Sequence, residues 1–414
     1  MNQHQNYILI GPFTQILPMG ELPETGPIAD EKLEVLEDGG VIVCEGKIKL
    51  VGKYSVLLKV AQEENYKLEK ISEPMVLLPG LIDAHTHICF AGSRANDYAM
   101  RVAGKTYLEI ARSGGGILDS VRKTREASEI ELVELLKKRC DRHLAEGVTT
   151  CEVKSGYGLT VDDELKMLHV INLVNKHHAL DLVPTCLAAH MRPPEFTDSR
   201  VYLQCLLDEL LPQVKEQGLA DRIDIFIEDT AFNEENSLEY LLAVKEKGFE
   251  ITVHADQFST GGSRIAAEVG AVSADHLEAS GEEEFALLRN AGVVATVLPG
   301  ASLGLGMHYA PARKMLDNGL CLAIATDWNP GSAPMGDLLV QAALIGAAEK
   351  LTIAETLAAI TTRAARALNL SDRGCIVKGQ KADMIAFPTD NYKEILYFQG
   401  KLKPTKVWKR GEQV

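Results

Sequence analysis

His85-Thr86-His87 sets two imidazoles two residues apart at the end of an apolar run, and in an extended strand residues i and i+2 face the same way. Two neutral imidazoles on one side form half of a site for a cation such as zinc or iron. A His-x-His pair also arises on strands by chance, so it gains weight only from its company. Here His254, His276 and Asp327 each close a further run of apolar or β-branched residues. A set of imidazoles with one carboxylate leaves room for water, whose pKa a bound divalent ion lowers toward roughly 7, giving hydroxide at neutral pH.

Residues so far apart in sequence need a frame that collects strand ends. Eight candidate strands occupy residues 80–87, 148–154, 182–190, 223–228, 250–255, 272–277, 293–298 and 321–327, with longer helical stretches between them. That rhythm predicts an α/β fold, a (β/α)8 barrel of TIM type, with the active site where the βα loops converge at the carboxyl ends of the strands. One helix can be checked closely. Ser128 and Glu131 form a capping-box pattern, apolar residues recur at Ile130, Val133, Leu136, Cys140 and Leu144, and Gly147 can end the helix.

The flanks read differently. Residues 40–48 have the composition of a short strand, and residues 375–414 show more short strands between Gly turns, including a strand and turn at 396–400. The expected organisation is a metal-dependent barrel over 80–374 and a small composite β-sandwich domain built from 1–79 and 375–414. The longest stretch without an assigned element follows the first barrel strand and holds Gly114-Gly115-Gly116, a candidate lid.

The 414 residues are 46% hydrophobic and 24% charged, as in ordinary globular enzymes, and carry a formal net charge of −15. No basic stripe is present, which argues against nucleic acid and anionic membrane as partners. The opening residues Met1 to Asn6 lack a basic segment followed by an apolar run, so a cytoplasmic location is expected. Eight cysteines without a C-x-x-C pair read as reduced, buried small hydrophobes. A homodimer is the base-rate expectation for such a chain.

The segment Leu-Pro-Gly-Leu-Ile-Asp-Ala-His-Thr-His (78–87), with His254, His276 and Asp327 downstream, resembles the amidohydrolase superfamily. Within it, Phe-Ala-Gly-Ser-Arg (90–94), Glu-Val-Lys-Ser-Gly-Tyr-Gly-Leu (152–159) and Ala-Thr-Asp-Trp-Asn-Pro-Gly-Ser (325–332) are similar to the imidazolonepropionase family. Thr106 to Glu109, Pro193 to Phe196 and Asp372-Arg373-Gly374 extend the likeness over nearly the whole chain. The resemblance implies one metal ion per subunit, Zn or Fe, held by His85, His87, His254 and Asp327. It implies that Asp327 takes the proton of the attacking water, with His254 and His276 in the catalytic set and His276 steadying an oxyanion or moving protons. Substrate contacts would fall on Arg94, Tyr157, His190, His254, Gln257, Asn329, Gly331 and Ser332. The implied reaction is hydrolysis of the cyclic amide of 4-imidazolone-5-propanoate to N-formimidoyl-L-glutamate in histidine degradation.

Each of these residues also has a plainer reading. Arg94 suits a propionate carboxylate through bidentate hydrogen bonds, or is a surface arginine. Tyr157 between glycines can lie against a ligand or plug the barrel top. His190 can face substrate or be a core histidine bonded to backbone. Lys154 reads as a structural ion pair, although carbamylated lysines bridge metals in some superfamily members. Asp256 reads as a solvated loop residue and Cys89 as core packing.

Two alternatives remain beside the ring-opening hydrolase. One is an amidohydrolase acting on another small ring, a ring deaminase included; many of those deaminases carry Glu three residues after the fifth-strand His, where Gln257 cannot titrate. The other is a scaffold that has lost its chemistry, against which the intact ligand set argues. Met191-Arg192 and residues 303–309 depart from the family pattern near the expected pocket, and Arg192 could add a second cation for a more anionic substrate.

Overall fold

The computed structural model describes residues 6–228 and 230–414. Residues 1–5, and hence most of the opening hexapeptide, lie outside the described residues, as do the side chains of Tyr107 and Leu108 in the Thr106 to Glu109 motif. The described strands, in chain order, are β1 (Tyr7–Ile16), β2 (Leu36–Cys44), β3 (Lys47–Lys53), β4 (Lys67–Lys70), β5 (Val76–Pro79), β6 (Leu81–Asp83), β7 (Val148–Lys154), β8 (Asp181–Ala189), β9 (Arg222–Phe226), β10 (Glu250–Ala255), β11 (Ser273–His276), β12 (Val294–Val297), β13 (Leu322–Ile324), β14 (Met384–Phe387), β15 (Lys406–Lys409) and β16 (Glu412–Gln413).

Strands β6 to β13 lie side by side in sequence order as a parallel sheet with helices between successive strands, the (β/α)8 architecture. Their residues are buried almost throughout, as expected when a parallel sheet is covered on both faces. The seam between the first and last strands closes beyond their ends. Thr86 and Trp328 form a parallel bridge, and Asp83 accepts hydrogen bonds from the Thr326 N–H at 2.9 Å and the Thr326 hydroxyl at 2.6 Å. His85 and His87 therefore sit past the regular part of β6, in an extended segment ordered by this seam.

Both chain ends form one eight-stranded sheet in the order β16-β15-β14-β5-β1-β2-β3, with β4 paired to β1. Phe13 on β1 and Trp408 on β15 are three strand positions apart, about 14 Å in a flat sheet. Their rings nevertheless meet edge-on at 6.0 Å, because the sheet curls over one core that includes Ile10, Val41 and Met384. At the start of β8, Asp181 receives Arg373 at 2.8 Å, Arg410 at 2.7 Å and Lys409 at 3.3 Å, and so ties the barrel to this sheet.

The helix at 129–145 forms with Ser128 accepting from the Glu131 N–H, and Gly147 takes a φ of +93° just beyond it. Three expectations are corrected. Residues 40–48 are a hairpin rather than one strand, since Glu45 and Gly46 both take positive φ (+52° and +73°) and turn the chain between β2 and β3. Residues 393–397 form a short helix where a strand was expected, its one buried side chain being Ile395. The stretch after the first barrel strand is not an open loop. Helices Ala95–Val102, Tyr107–Arg112 and Ile117–Glu126 fill it, and the three glycines make the turn before the last of them. Helices of six to ten residues carry too few apolar positions for their period to be legible.

Candidate active site

At the carboxyl ends of the strands, three imidazoles converge. The His87 Nε2 atom lies 3.2 Å from His85 Nε2 and 3.3 Å from His254 Nε2. Asp327 Oδ1 closes the group, 3.2 Å from His87 Nε2 and 3.6 Å from His85 Nε2. The tautomers follow from what stands behind the rings. His85 Nδ1 meets Asp275 Oδ2 at 2.6 Å and His254 Nδ1 meets Asp224 Oδ2 at 2.9 Å, so each Nδ1 carries the proton and each Nε2 presents a bare lone pair. The bare lone pairs of His85 and His254, with His87 Nε2 and the Asp327 carboxylate beside them, form a donor set that zinc or iron accepts.

Burial and Lys154 hold His85 neutral far below the usual imidazole range, and burial brings His254 down to about 4 despite Asp224. Burial pushes the Asp327 carboxyl up, but the facing His87, His276 and His254 hold it on balance below the ordinary range. His276 stands 5.4 Å from the His254 ring and 5.9 Å from that of His85, centroid to centroid. Burial works against its protonation, yet Glu278, 3.5 Å away, and Asp327 outweigh that and raise its pKa. His276 and Asp327 both take positive φ (+87° and +50°), so the backbone turns sharply where these side chains enter the site.

The walls come from the loops. His190 stacks on His87 with centroids 5.2 Å apart and meets the Gly156 carbonyl at 3.0 Å through Nδ1. Tyr157 is buried between His87 and Phe90, with ring centroids 6.1 and 6.3 Å away. Both depend on Glu164, whose carboxylate accepts from the N–H groups of Gly156, Gly158 and Leu159 and moulds the Ser-Gly-Tyr-Gly turn. The Asn329 amide donates to Asp327 Oδ2 at 2.9 Å and to Ser332 Oγ at 2.9 Å, while its oxygen accepts from the Gly331 and Ser332 N–H groups. A Cβ on Gly331 would lie 2.4 Å from an Arg94 guanidinium nitrogen, which puts Arg94 against this loop. Arg94 is oriented by Asp97, which accepts from its Nε at 2.8 Å. Gln257 is buried in the turn after β10, and Glu228 fixes that turn by accepting from the Phe258 and Ser259 N–H groups.

Several readings change. Asp256 is not solvated: it is buried, accepting from the Ser263 N–H at 3.1 Å and the Ser280 hydroxyl at 2.7 Å. Arg192 donates to the Phe196 carbonyl within its own turn, which leaves the idea of a second substrate cation without support. The helix Pro299–Leu305, whose last three residues open the divergent segment 303–309, packs so closely on Ser332 that a Cβ at Gly304 would overlap its carbonyl oxygen. Asp224, Asp275, Glu164 and Glu278 escaped sequence reasoning. The available signal was a polar residue on an otherwise apolar barrel strand, as in Ile-Asp-Ile (223–225) and Ala-Asp-His (274–276).

The family model described as "Amidohydrolase family" matches residues 117–414. The chain is 40% identical over 404 residues to the imidazolonepropionase of Fusobacterium nucleatum subsp. nucleatum, covering 97% of each chain. It is 38% identical over 386 residues to that of Thermoanaerobacter pseudethanolicus, covering 92% of this chain and 91% of the relative. Among solved structures, an adenosine deaminase from Xanthomonas campestris with bound zinc superposes with a TM-score of 0.71 at 20% identity, covering 98% of this chain and 92% of that one. That likeness is one of fold.

Proposed function

The chain belongs to the imidazolonepropionase family of the amidohydrolases, and from that premise we infer that its site opens the ring of 4-imidazolone-5-propanoate, giving N-formimidoyl-L-glutamate in histidine degradation. The observation that carries the reading is the convergence of His85, His87, His254 and Asp327 beside an arginine that faces the Asn329 to Ser332 loop. These four residues would hold one zinc or iron ion, which when bound supplies an acidified water and an electrophile for the ring carbonyl.

The remaining steps belong to the side chains. Asp327, kept ionised by the surrounding imidazoles and oriented by Asn329, takes the proton of the attacking water. His276, whose pKa the neighbouring Glu278 and Asp327 raise, steadies the carbonyl oxygen as the carbon becomes tetrahedral. When the ring C–N bond breaks, the proton passes to the departing nitrogen. Arg94 grips the propionate carboxylate, while Tyr157, His190 and Gln257 orient the ring and the Asn329, Gly331 and Ser332 loop closes around it. In this reading residues 80–374 are the catalytic body and 1–79 with 375–414 its supporting domain.

Ultraviolet-monitored turnover of fresh 4-imidazolone-5-propanoate, by zinc- or iron-loaded and by chelator-stripped protein, tests this function. Metal-dependent ring opening without ammonia release is expected. Inactivity of protein that holds its metal would move the assignment to another cyclic amide.

A further inference from the structure

Beneath the imidazoles lies a second layer of charge that the proposed chemistry does not use. The Lys154 ammonium, on β7 and fully buried, is 2.6 Å from Glu152 Oε1, 2.8 Å from Asp224 Oδ2 and 3.9 Å from Asp275 Oδ2. All three carboxylates are themselves buried. Two of the oxygens that face Lys154 also face the ring histidines. Asp224 Oδ2 stands between Lys154 and His254 Nδ1, and Asp275 Oδ2 stands between Lys154 and His85 Nδ1.

We propose that Lys154 is a positioning residue for the metal centre, its single ammonium fixing both carboxylates that aim His85 and His254. Three buried carboxylates cannot share one layer of a barrel without a counter-charge, because each lacks water and repels the others. Lys154 supplies that charge from the barrel axis, where it can reach β9 and β11 at once. It thereby couples imidazoles from the first and fifth barrel strands, which no backbone hydrogen bond joins. Metal affinity in such sites depends on the groups behind the ligands by about 10- to 100-fold. The inference rests on the metal site proposed above but not on the substrate, so the two can fail separately.

The test measures zinc release from loaded protein to an excess of chelator, by a colorimetric zinc indicator, for Lys154→Met and Lys154→Arg. The control is Lys409→Met, which removes another buried ammonium, paired with Asp383 at 2.6 Å and Asp181 at 3.3 Å where the terminal sheet meets the barrel, away from the imidazoles. Zinc release at least tenfold faster than native is expected for both Lys154 variants, with a native rate for Lys409→Met. A shift of the visible absorption of the cobalt-loaded Lys154→Arg protein is expected as well, since the imidazoles would be re-aimed. Should Lys154→Met fail to accumulate folded, Lys154→Arg decides. Native zinc release from the Lys154 variants, or equally fast release from Lys409→Met, would overturn the proposal.

Discussion

The Asp327 N–H donates to the His85 carbonyl oxygen at 3.0 Å, and the next step across the same seam joins the His87 N–H to the Trp328 carbonyl at 2.9 Å. The first and last strands of the barrel are thus stitched together through the residues that face the metal position. Geometry at the site and closure of the barrel are one problem.

Thr326 is where that coupling can be cut. Its hydroxyl donates to Asp83 and accepts from the Trp328 N–H at 3.0 Å, both in the buried seam. Thr326→Val keeps the shape and leaves two partners unsatisfied, at a cost of about 1–3 kcal/mol. Denaturant melts should show that loss, and kcat should fall about tenfold with little change in KM.

Asp327→Asn keeps the volume and removes the proposed base. Turnover should drop by about 10² to 10⁴ while the circular dichroism spectrum stays native. A fully active variant would sink the assigned role. Asn329→Ala should give a smaller loss of kcat, since it frees the carboxylate without removing it.

Arg94→Ala deletes the proposed carboxylate grip, whose charge-assisted bonds are worth about 1.5–3 kcal/mol. KM should therefore rise by about 10- to 150-fold with kcat changed far less. Gly331→Ala is the subtler version. The new methyl group would meet the Arg94 guanidinium at 2.4 Å and push it aside, so KM should rise while the melting temperature holds. Steady-state kinetics on the two variants check both.

Asp181 carries a pH signature. Burial pushes its carboxyl up, but Lys409, Arg373, Arg410 and Lys381 outweigh this and hold its pKa below the unfolded value of roughly 3.9. A depressed folded pKa means stability that is present above the unfolded pKa and lost as pH falls through the folded one. Asp181→Asn should cost about 1–3 kcal/mol at pH 7, and the gap to the native protein should shrink as the pH falls below about 4. Urea melts at several pH values would reveal a constant gap if the idea is wrong.

The thiols should be silent. Burial pushes Cys89 up to about 12 and Cys375 to about 11, and of the eight only Cys205 and Cys375 are even partly exposed. A disulfide reagent at pH 8 should label at most those two in the native protein and all eight after denaturation. Rapid native labelling of Cys89 would contradict the packing around it.

Much of this protein was legible in the sequence by itself. The βα rhythm marked eight barrel strands because a parallel sheet covered on both faces needs near-continuous apolar runs, and several of those runs ended in or beside a polar residue of the candidate site. Positions such as His254 and His276 could be read for that reason alone. Other features are not local properties, and only the tertiary structure decided them. The Glu45-Gly46 turn and the short helices after β6 lack enough residues for a period to emerge. Asp224 and Asp275 look like ordinary strand acids until neighbouring strands set them behind His254 and His85, and Lys154 reads as a plain ion pair until three carboxylates from different strands close on it. Periodicity records which side of a strand a residue faces. Which charge it meets there depends on strand register and barrel closure, which bring together groups as distant in sequence as Asp83 and Thr326, 243 residues apart.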